Sequence, residues 1–492
     1  MKQYLSKTDF LKYQCCPSYF WLWKHNRALV PKESNEEVMQ QRLEQGNEIE
    51  SFARQLFPYG ILIEEYREQA ELRTWELIAS GANTIFQATV ITRDGLLAMA
   101  DVLERDGDGW RLYEVKSTNT VDKKKHLPDA AFQQVAFEDA GYKITSVSII
   151  HMNKEFVKTS NILDPAKLLL IDDRTDEINT ILPEIKDGIR LALERMRDEE
   201  QPPVCSCRYK SHGQHCPTFS VFNPDIPEYS VYNISRMQGK KLADLIDNEV
   251  LEIKDIPDDF SLSENQKKQV EAAKSGRAYI DQAGIALFLD KFEYPMYFLD
   301  YESVNPALPF ILGTHPYQQN VFQYSLHIID SPNSAIRHEE CLLKDTSLES
   351  LKELVVSLSQ HIGNTGSIIA WHKVFERDRN KELASMFPEY SEFMLNLNDR
   401  LLDLEDAFCK NLYVHPDFLG KSSIKFVLPV LVPEFSYKAL NIQKGDTASV
   451  RWYDCTVGSN LDEATQVYED LLEYCCLDTL AMVKIYEVLG KV

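Results

Sequence analysis

No run of apolar residues in this chain of 492 approaches the length needed to span a bilayer, and its first residues, MKQYLSKTDFLKYQCC, lack the hydrophobic segment of a secretion signal. A membrane protein is therefore not expected, and the cytoplasm is the expected compartment. Internal repeats and low-complexity tracts are also missing, which argues against a repeat array. Positive charge is scarce: 53 Lys and Arg stand against 76 Asp and Glu, a formal net charge of −23. That excludes a general basic coat for nucleic acid. It does not exclude a carboxylate-based active site, which adds negative charge by design.

What is present is the composition of a folded protein, 44% hydrophobic and 26% charged. The length exceeds a single compact core, so two or three domains are expected. TIFQATVIT (84–92), GLLAMADVLE (95–104) and WRLYEVKS (110–117) alternate in strand fashion and are separated by RDG and DGDG turns. DAAFQQVAFEDAG (129–141) reads as a helix closed by glycine, ITSVSIIHM (144–152) as a strand, and 173–200 as a charged helix. Helices are also expected over 1–30 and 34–57. The proline-broken NPDIPEYSV (223–231) looks like a linker, and 232–290 suggests short helices. Beyond 291, MYFLDYES, FQYSLHII and SIIAWH read as strands, and an amphipathic helix beginning EATQVYEDLL closes the chain. The expected fold class is α/β, with an N-terminal domain over 1–222, a helical connector over 223–290 and a C-terminal domain over 291–492.

Chemistry enters with RLYEVKS. On a strand, Glu114 and Lys116 share one side. An acid and a base on a core strand are costly to bury unless paired or bound to a cation. The plain alternative is a surface ion pair on an edge strand. Asp101 ends the preceding strand, giving Asp, then Glu-x-Lys, on neighbouring strands. Two such carboxylates can hold Mg²⁺ or Mn²⁺, the ion can activate water against a phosphate, and the lysine can steady the charge that develops. With Gly46-x-x-x-Glu50 upstream and Gln133-x-x-x-Phe137 downstream, the set resembles the RecB-like branch of the PD-(D/E)XK nucleases. That resemblance implies a restriction-endonuclease-like domain, with Asp101 and Glu114 as metal ligands, Lys116 as the charge-stabilising group, and Glu50 and Gln133 completing the site. Glu50 stands where that branch has histidine, and Phe137 where it has tyrosine; Glu48 is the alternative to Glu50.

Ten cysteines in a reducing compartment are expected to be thiols or ligands. Cys205, Cys207 and Cys216 gather in CSCRYKSHGQHC, and Cys16 precedes Pro17 far upstream, with Cys15 as its alternative. Cys341, Cys409, Cys455, Cys475 and Cys476 read as small core residues. Several RecB-like nucleases, including CRISPR-associated ones, resemble this arrangement. The resemblance implies a 4Fe–4S cluster on Cys16, Cys205, Cys207 and Cys216 that staples the ends of the domain. The alternative is zinc, held by the three clustered cysteines with His212 or His215.

FLDYES places Asp300 and Glu302 on one strand face, where they repel each other unless a cation lies between them. Downstream, Glu376 follows a strand-to-helix transition, with Asp378 as its alternative, and Tyr474 and Asp478 share a helical face. These residues resemble the DEDD exonucleases of the ribonuclease H-like, DnaQ-type fold, and the tyrosine makes the resemblance one to the DEDDy type. It implies that Asp300, Glu302, Glu376 and Asp478 hold two Mg²⁺ or Mn²⁺ ions, that Tyr474 positions the water, and that strands are trimmed 3′ to 5′. Lys421 and Lys425 are expected to be solvated rather than on phosphate. The whole chain resembles an uncharacterised bacterial family with a domain of unknown function at its C-terminus. The expectation is a metal-dependent nuclease with two sites acting on nucleic acid, DNA ahead of RNA, in repair or defence. The rivals are an RNA-processing enzyme and a binding scaffold with inactive sites.

Overall fold

The computed structural model describes residues 3–32, 35–458 and 464–492; Ser34 and Glu463, where two expected helices begin, lie outside the described residues. The chain divides into two compact units. The first comprises Met1–Arg208, Gln214–Pro224 and Pro306–Tyr317, and the second Tyr209–Gly213, Asp225–Asn305 and Gln318–Val492. Both are mixed α/β.

In the first unit, β1 (Leu5–Ser6), β2 (Ile61–Leu62), β3 (Thr84–Ile91), β4 (Leu96–Asp106), β5 (Gly109–Lys116), β6 (Ile144–Met152) and β7 (Leu169–Asp173) form one sheet. Its order is β2-β3-β4-β5-β6-β7, with β1 paired to β4. The antiparallel run β3–β4–β5 follows from the two turns, where Gly95 and Gly107 take the positive φ that other residues resist. β5 and β6 are parallel, so a crossover must join them, and the helix His126–Asp139 supplies it. Ala130, Ala131 and Ala136 let that helix lie close to the sheet, while Phe132 and Phe137 fill the core with Phe10. Truncating a ring buried this fully costs about 3–5 kcal/mol.

The helix expected over 1–30 is instead two, Lys7–Cys15 and Pro17–His25. Proline disfavours helical geometry in the residue before it, and Cys16 is extended, with φ −164° and ψ 120°. Pro17 then opens the second helix, where its missing N–H is not needed.

In the second unit, β8 (Tyr279–Ile280), β9 (Met296–Val304), β10 (Asn320–Ile329), β11 (Arg337–Leu342), β12 (Ser367–Ala370), β13 (Leu401–Asp403) and β14 (Tyr413–Val414) form two sheets. The larger has the order β11-β10-β9-β12-β13; β8 pairs with β14. β10 is antiparallel to both neighbours, whereas β12 runs parallel to β9 and β13. Every residue of β10 is buried, because the helices Leu348–His361 and Ala464–Leu489 pack against it. Asp300 pairs with Ser325 and Glu302 pairs with Gln323, whose amide reaches Leu471 O, so these acids share the face that meets the last helix.

Candidate metal centres

In the second unit the last helix carries Asp478 onto the face bearing Asp300 and Glu302, and one ligand oxygen from each lies within 4.8 Å of the others. Glu376, on the helix Val374–Met386, is 2% exposed, and its Oε2 has no hydrogen-bond partner among the described residues. Burial pushes the carboxyls of Asp300, Glu302 and Glu376 well above the usual range, and the neighbouring acids add to it. Burial also raises Asp478, to about 6, although a hydrogen bond from Tyr437 and the charge of Lys425 oppose it. The Tyr437 hydroxyl donates to Asp478 Oδ1 at 2.5 Å, and the Cys475 thiol donates to Asp300 Oδ2 at 3.5 Å. The alternative acid, Asp378, is paired with Arg377 and Lys381, which leaves Glu376 as the acid of the pocket.

Three contributors go beyond the expected set: Lys425, and also Asp403 and Gly445, which the sequence does not single out. Lys425, expected to be solvated, donates from Nζ to the Tyr474 hydroxyl at 3.2 Å and acts electrostatically on Asp300, Glu302 and Asp478. Asp403 accepts the backbone N–H groups of His372 and Lys373 at 3.0 and 3.1 Å, fixing the turn that leads to Glu376. Gly445 leaves space beside the acids: a Cβ there would stand 3.4 Å from Glu302 Oε2 and 3.9 Å from the Tyr474 hydroxyl.

The first unit brings Glu50, Asp101, Glu114, Lys116 and Gln133 into one network, with different electrostatics. β4 and β5 part after the Val102–Tyr113 pair, and Asp101 Oδ2 takes the Val115 N–H at 2.7 Å in place of a backbone acceptor. Gln87, at a positive φ of 58°, leaves a gap in the β3–β4 pairing without shifting its register, and reaches Glu50 at 2.5 Å and Asp101 Oδ1 at 3.4 Å. A non-glycine residue in this region stores strain that is common at functional sites. Glu50 also pairs with Arg54, while Glu48 is exposed. Glu114 Oε1 accepts from Lys7 and from Lys116, each at 2.6 Å, and Gln133 Nε2 donates to Oε2. Lys116 also binds Asp129. Burial disfavours the Glu114 carboxylate, but Lys116 and Lys7 outweigh it and hold the group at about 2. Asp101, buried beside Glu114, is raised to about 8. Lys7, Gln87 and Asp129 carried no signal in the sequence. Phe137 lies in the apolar core.

Cys16, Cys205, Cys207 and Cys216 are all buried, and their sulfurs lie within 4.8 Å of one another. Cys205 Sγ is 3.5 Å from both Cys16 Sγ and Cys216 Sγ, and it accepts the Cys207 N–H at 3.4 Å. Trp21, Leu22 and Phe222 wall the group. Contacts with Cys205 and Cys216 drive the Cys16 thiol far below its ordinary value, while contacts with Cys16 and Cys216 drive Cys205 far above. Four buried sulfurs this close can hold a metal ion once their thiols give up their protons. Cys15 is exposed, and His215 stacks on Phe219, so the cysteines form the set without histidine. Of the cysteines read as core, Cys455 and Cys475 are buried, Cys341 and Cys476 are half-buried, and Cys409 is exposed. No helix among the described residues is long and apolar enough to cross a membrane.

A family described as a domain of unknown function, DUF2779, matches residues 297–423, which include Asp300, Glu302, Glu376 and Asp403. The chain is also similar to the uncharacterized protein MG366 of Mycoplasma genitalium, at 31% identity over 38% of this chain and 31% of that one. Its homolog in Mycoplasma pneumoniae is 30% identical over 42% of this chain and 35% of its own. The uncharacterized protein UU173 of Ureaplasma parvum is 28% identical over 54% and 41%. The chain thus spans well under half the length of these relatives.

Proposed function

We propose that this protein is a divalent-metal-dependent nuclease whose principal centre is the acidic pocket of the second unit. One observation carries the reading: Glu302, Glu376 and Asp478 are buried and Asp300 half-buried beside them, with Lys425 the main cation opposing their charge. Like charges in such a place repel unless a cation joins them. The first unit offers the contrast, since there lysines already neutralise Glu114. The donor set is all oxygen, which suits Mg²⁺ or Mn²⁺. When bound, such ions polarise a phosphate and make water nucleophilic. The remaining roles belong to the chain. Tyr474 orients the attacking water through its hydroxyl, Lys425 holds that hydroxyl and faces the phosphate charge, and the bare Gly445 leaves the substrate room.

The strand order, with three antiparallel strands followed by two parallel ones, supports the ribonuclease H-like, DEDDy reading. Asp101, Glu114, Lys116 and Gln133, meeting beside a strained Gln87, support a PD-(D/E)XK-like second centre. There, Asp101 and Glu114 would hold the ion, in competition with Lys7 and Lys116 for Glu114 Oε1. DNA is the proposed substrate ahead of RNA. For the four cysteines, Zn–S bonds of about 2.3 Å set sulfurs about 3.8 Å apart, close to the observed spacing, whereas a four-iron cubane would hold them wider. The compact set therefore favours one zinc ion over the cluster that the resemblance implies.

The test is digestion of end-labelled single-stranded DNA, and of an RNA of the same sequence, with Mn²⁺ present. Asp300→Ala is expected to lower stepwise trimming at least a thousandfold, and Asp101→Ala to spare it. Equal trimming by wild type and Asp300→Ala would remove the proposal.

A further inference from the structure

A second cluster of metal-binding side chains lies in the second unit, apart from the acidic pocket. His327 on β10 and His338 on β11 are direct cross-strand partners, and their rings stack with centroids 4.4 Å apart. Cys476 reaches them from the last helix, with Sγ 3.9 Å from His338 Nδ1. One ligand atom from each of the three lies within 4.8 Å of the others.

The surroundings are those of a ligand site. His327 Nδ1 meets Thr479 Oγ1 at 2.8 Å, Thr479 Oγ1 meets Ser325 Oγ at 2.7 Å, and Ser325 Oγ meets His338 Nε2 at 2.9 Å. This chain of hydroxyls engages one nitrogen of each ring and so fixes both orientations. The other nitrogens, His327 Nε2 and His338 Nδ1, are left for a ligand. Metal-binding histidines are held in this way, with one ring nitrogen anchored by a neighbour and the other on the ion. A packing role alone does not call for a polar relay tying two stacked imidazoles to a helix. Glu340, one step along the same strand face, has its carboxylate 3.8 Å from His338 Nε2, on the anchored side of that ring, and is not counted among the ligands.

We propose that His327, His338 and Cys476 bind one zinc ion, clasping the β10–β11 hairpin to the helix that carries Tyr474 and Asp478. Two imidazoles and a thiolate suit zinc rather than magnesium or calcium. Binding releases the Cys476 thiol proton to solvent. The site is separate from the four-cysteine set of the first unit and does not depend on the nuclease reading.

The experiment uses the full chain with excess Mg²⁺ to occupy carboxylates. Zinc per chain is counted by elemental analysis in wild type, His338→Gln and Cys476→Ser. Wild type is expected to hold one ion more than either variant. Because a variant can misfold, Cys476 is also alkylated with iodoacetamide in the folded wild type and followed by peptide mass spectrometry. Added zinc is expected to slow its labelling at least tenfold and to leave exposed Cys409 unaffected. Equal zinc in all three proteins, or Cys476 labelling indifferent to zinc, overturns the assignment.

Discussion

Asp478→Asn is expected to melt above wild type in EDTA at pH 8, and to bind Mn²⁺ at least a hundredfold more weakly. The two effects share one cause. In the metal-free protein Asp478 is buried, and that burial raises its carboxyl from 3.8 to about 6. A carboxyl with a raised folded pKa binds its proton more tightly when folded. Stability is therefore greatest below pH 3.8 and is lost as pH rises through about 6. Above that, a shift of this size amounts to about 3 kcal/mol of penalty. Asparagine removes the charge and still accepts the Tyr437 hydroxyl, so the variant escapes the penalty. Thermal melts from pH 4 to pH 8 check this: the advantage of the variant should be absent at the acid end and full at pH 8. With millimolar Mn²⁺ the order reverses, because the ion stabilises only the protein that binds it. A variant less stable than wild type at pH 8 in EDTA would show Asp478 to be a structural hydrogen-bonding residue.

Cys205→Ser has the larger expected effect on the first unit. Cys205 touches Cys16 and Cys216 and accepts the Cys207 N–H, so its loss opens the centre of the set. Structural zinc contributes on the order of 10 kcal/mol to small metal-folded domains, comparable with the whole stability of an ordinary domain. The variant is expected to lose one zinc per chain. Peptides covering 5–30 and 200–222 should exchange backbone hydrogen at least a hundredfold faster, and peptides of the last helix should not change. Cys341→Ser, which removes a half-buried thiol outside the set, is the control. Iron and sulfide in the purified wild type, with a broad absorption in the violet to blue, would instead identify a cluster.

How much of this was legible depended on whether a local pattern encoded it. Period-two alternation and the RDG and DGDG turns located β3, β4 and β5, and hence Asp101, Glu114 and Lys116. The same rule placed Asp300 and Glu302 on one face, and helical spacing placed Tyr474 with Asp478. Cys16 could be joined to Cys205, Cys207 and Cys216 only through a family resemblance, since nothing in the spacing brings residues so far apart together. Lys7 was invisible because a lysine at the start of a helix is ordinarily solvated; the sheet brings it to Glu114. Lys425 failed for the same reason. Gln87 was hidden because its role comes from a positive φ inside a strand, which no side-chain pattern announces. β7 and β11 were missed because they are short and partly exposed, without a clean apolar alternation.

The most direct measurement is an anomalous difference map from crystals soaked in MnCl₂. Density is expected among Asp300, Glu302 and Asp478, with Glu376 drawn to it. A map with no peak there, and with Asp478 and Asp300 still bonded to Tyr437 and Cys475, would contradict a metal centre in the pocket.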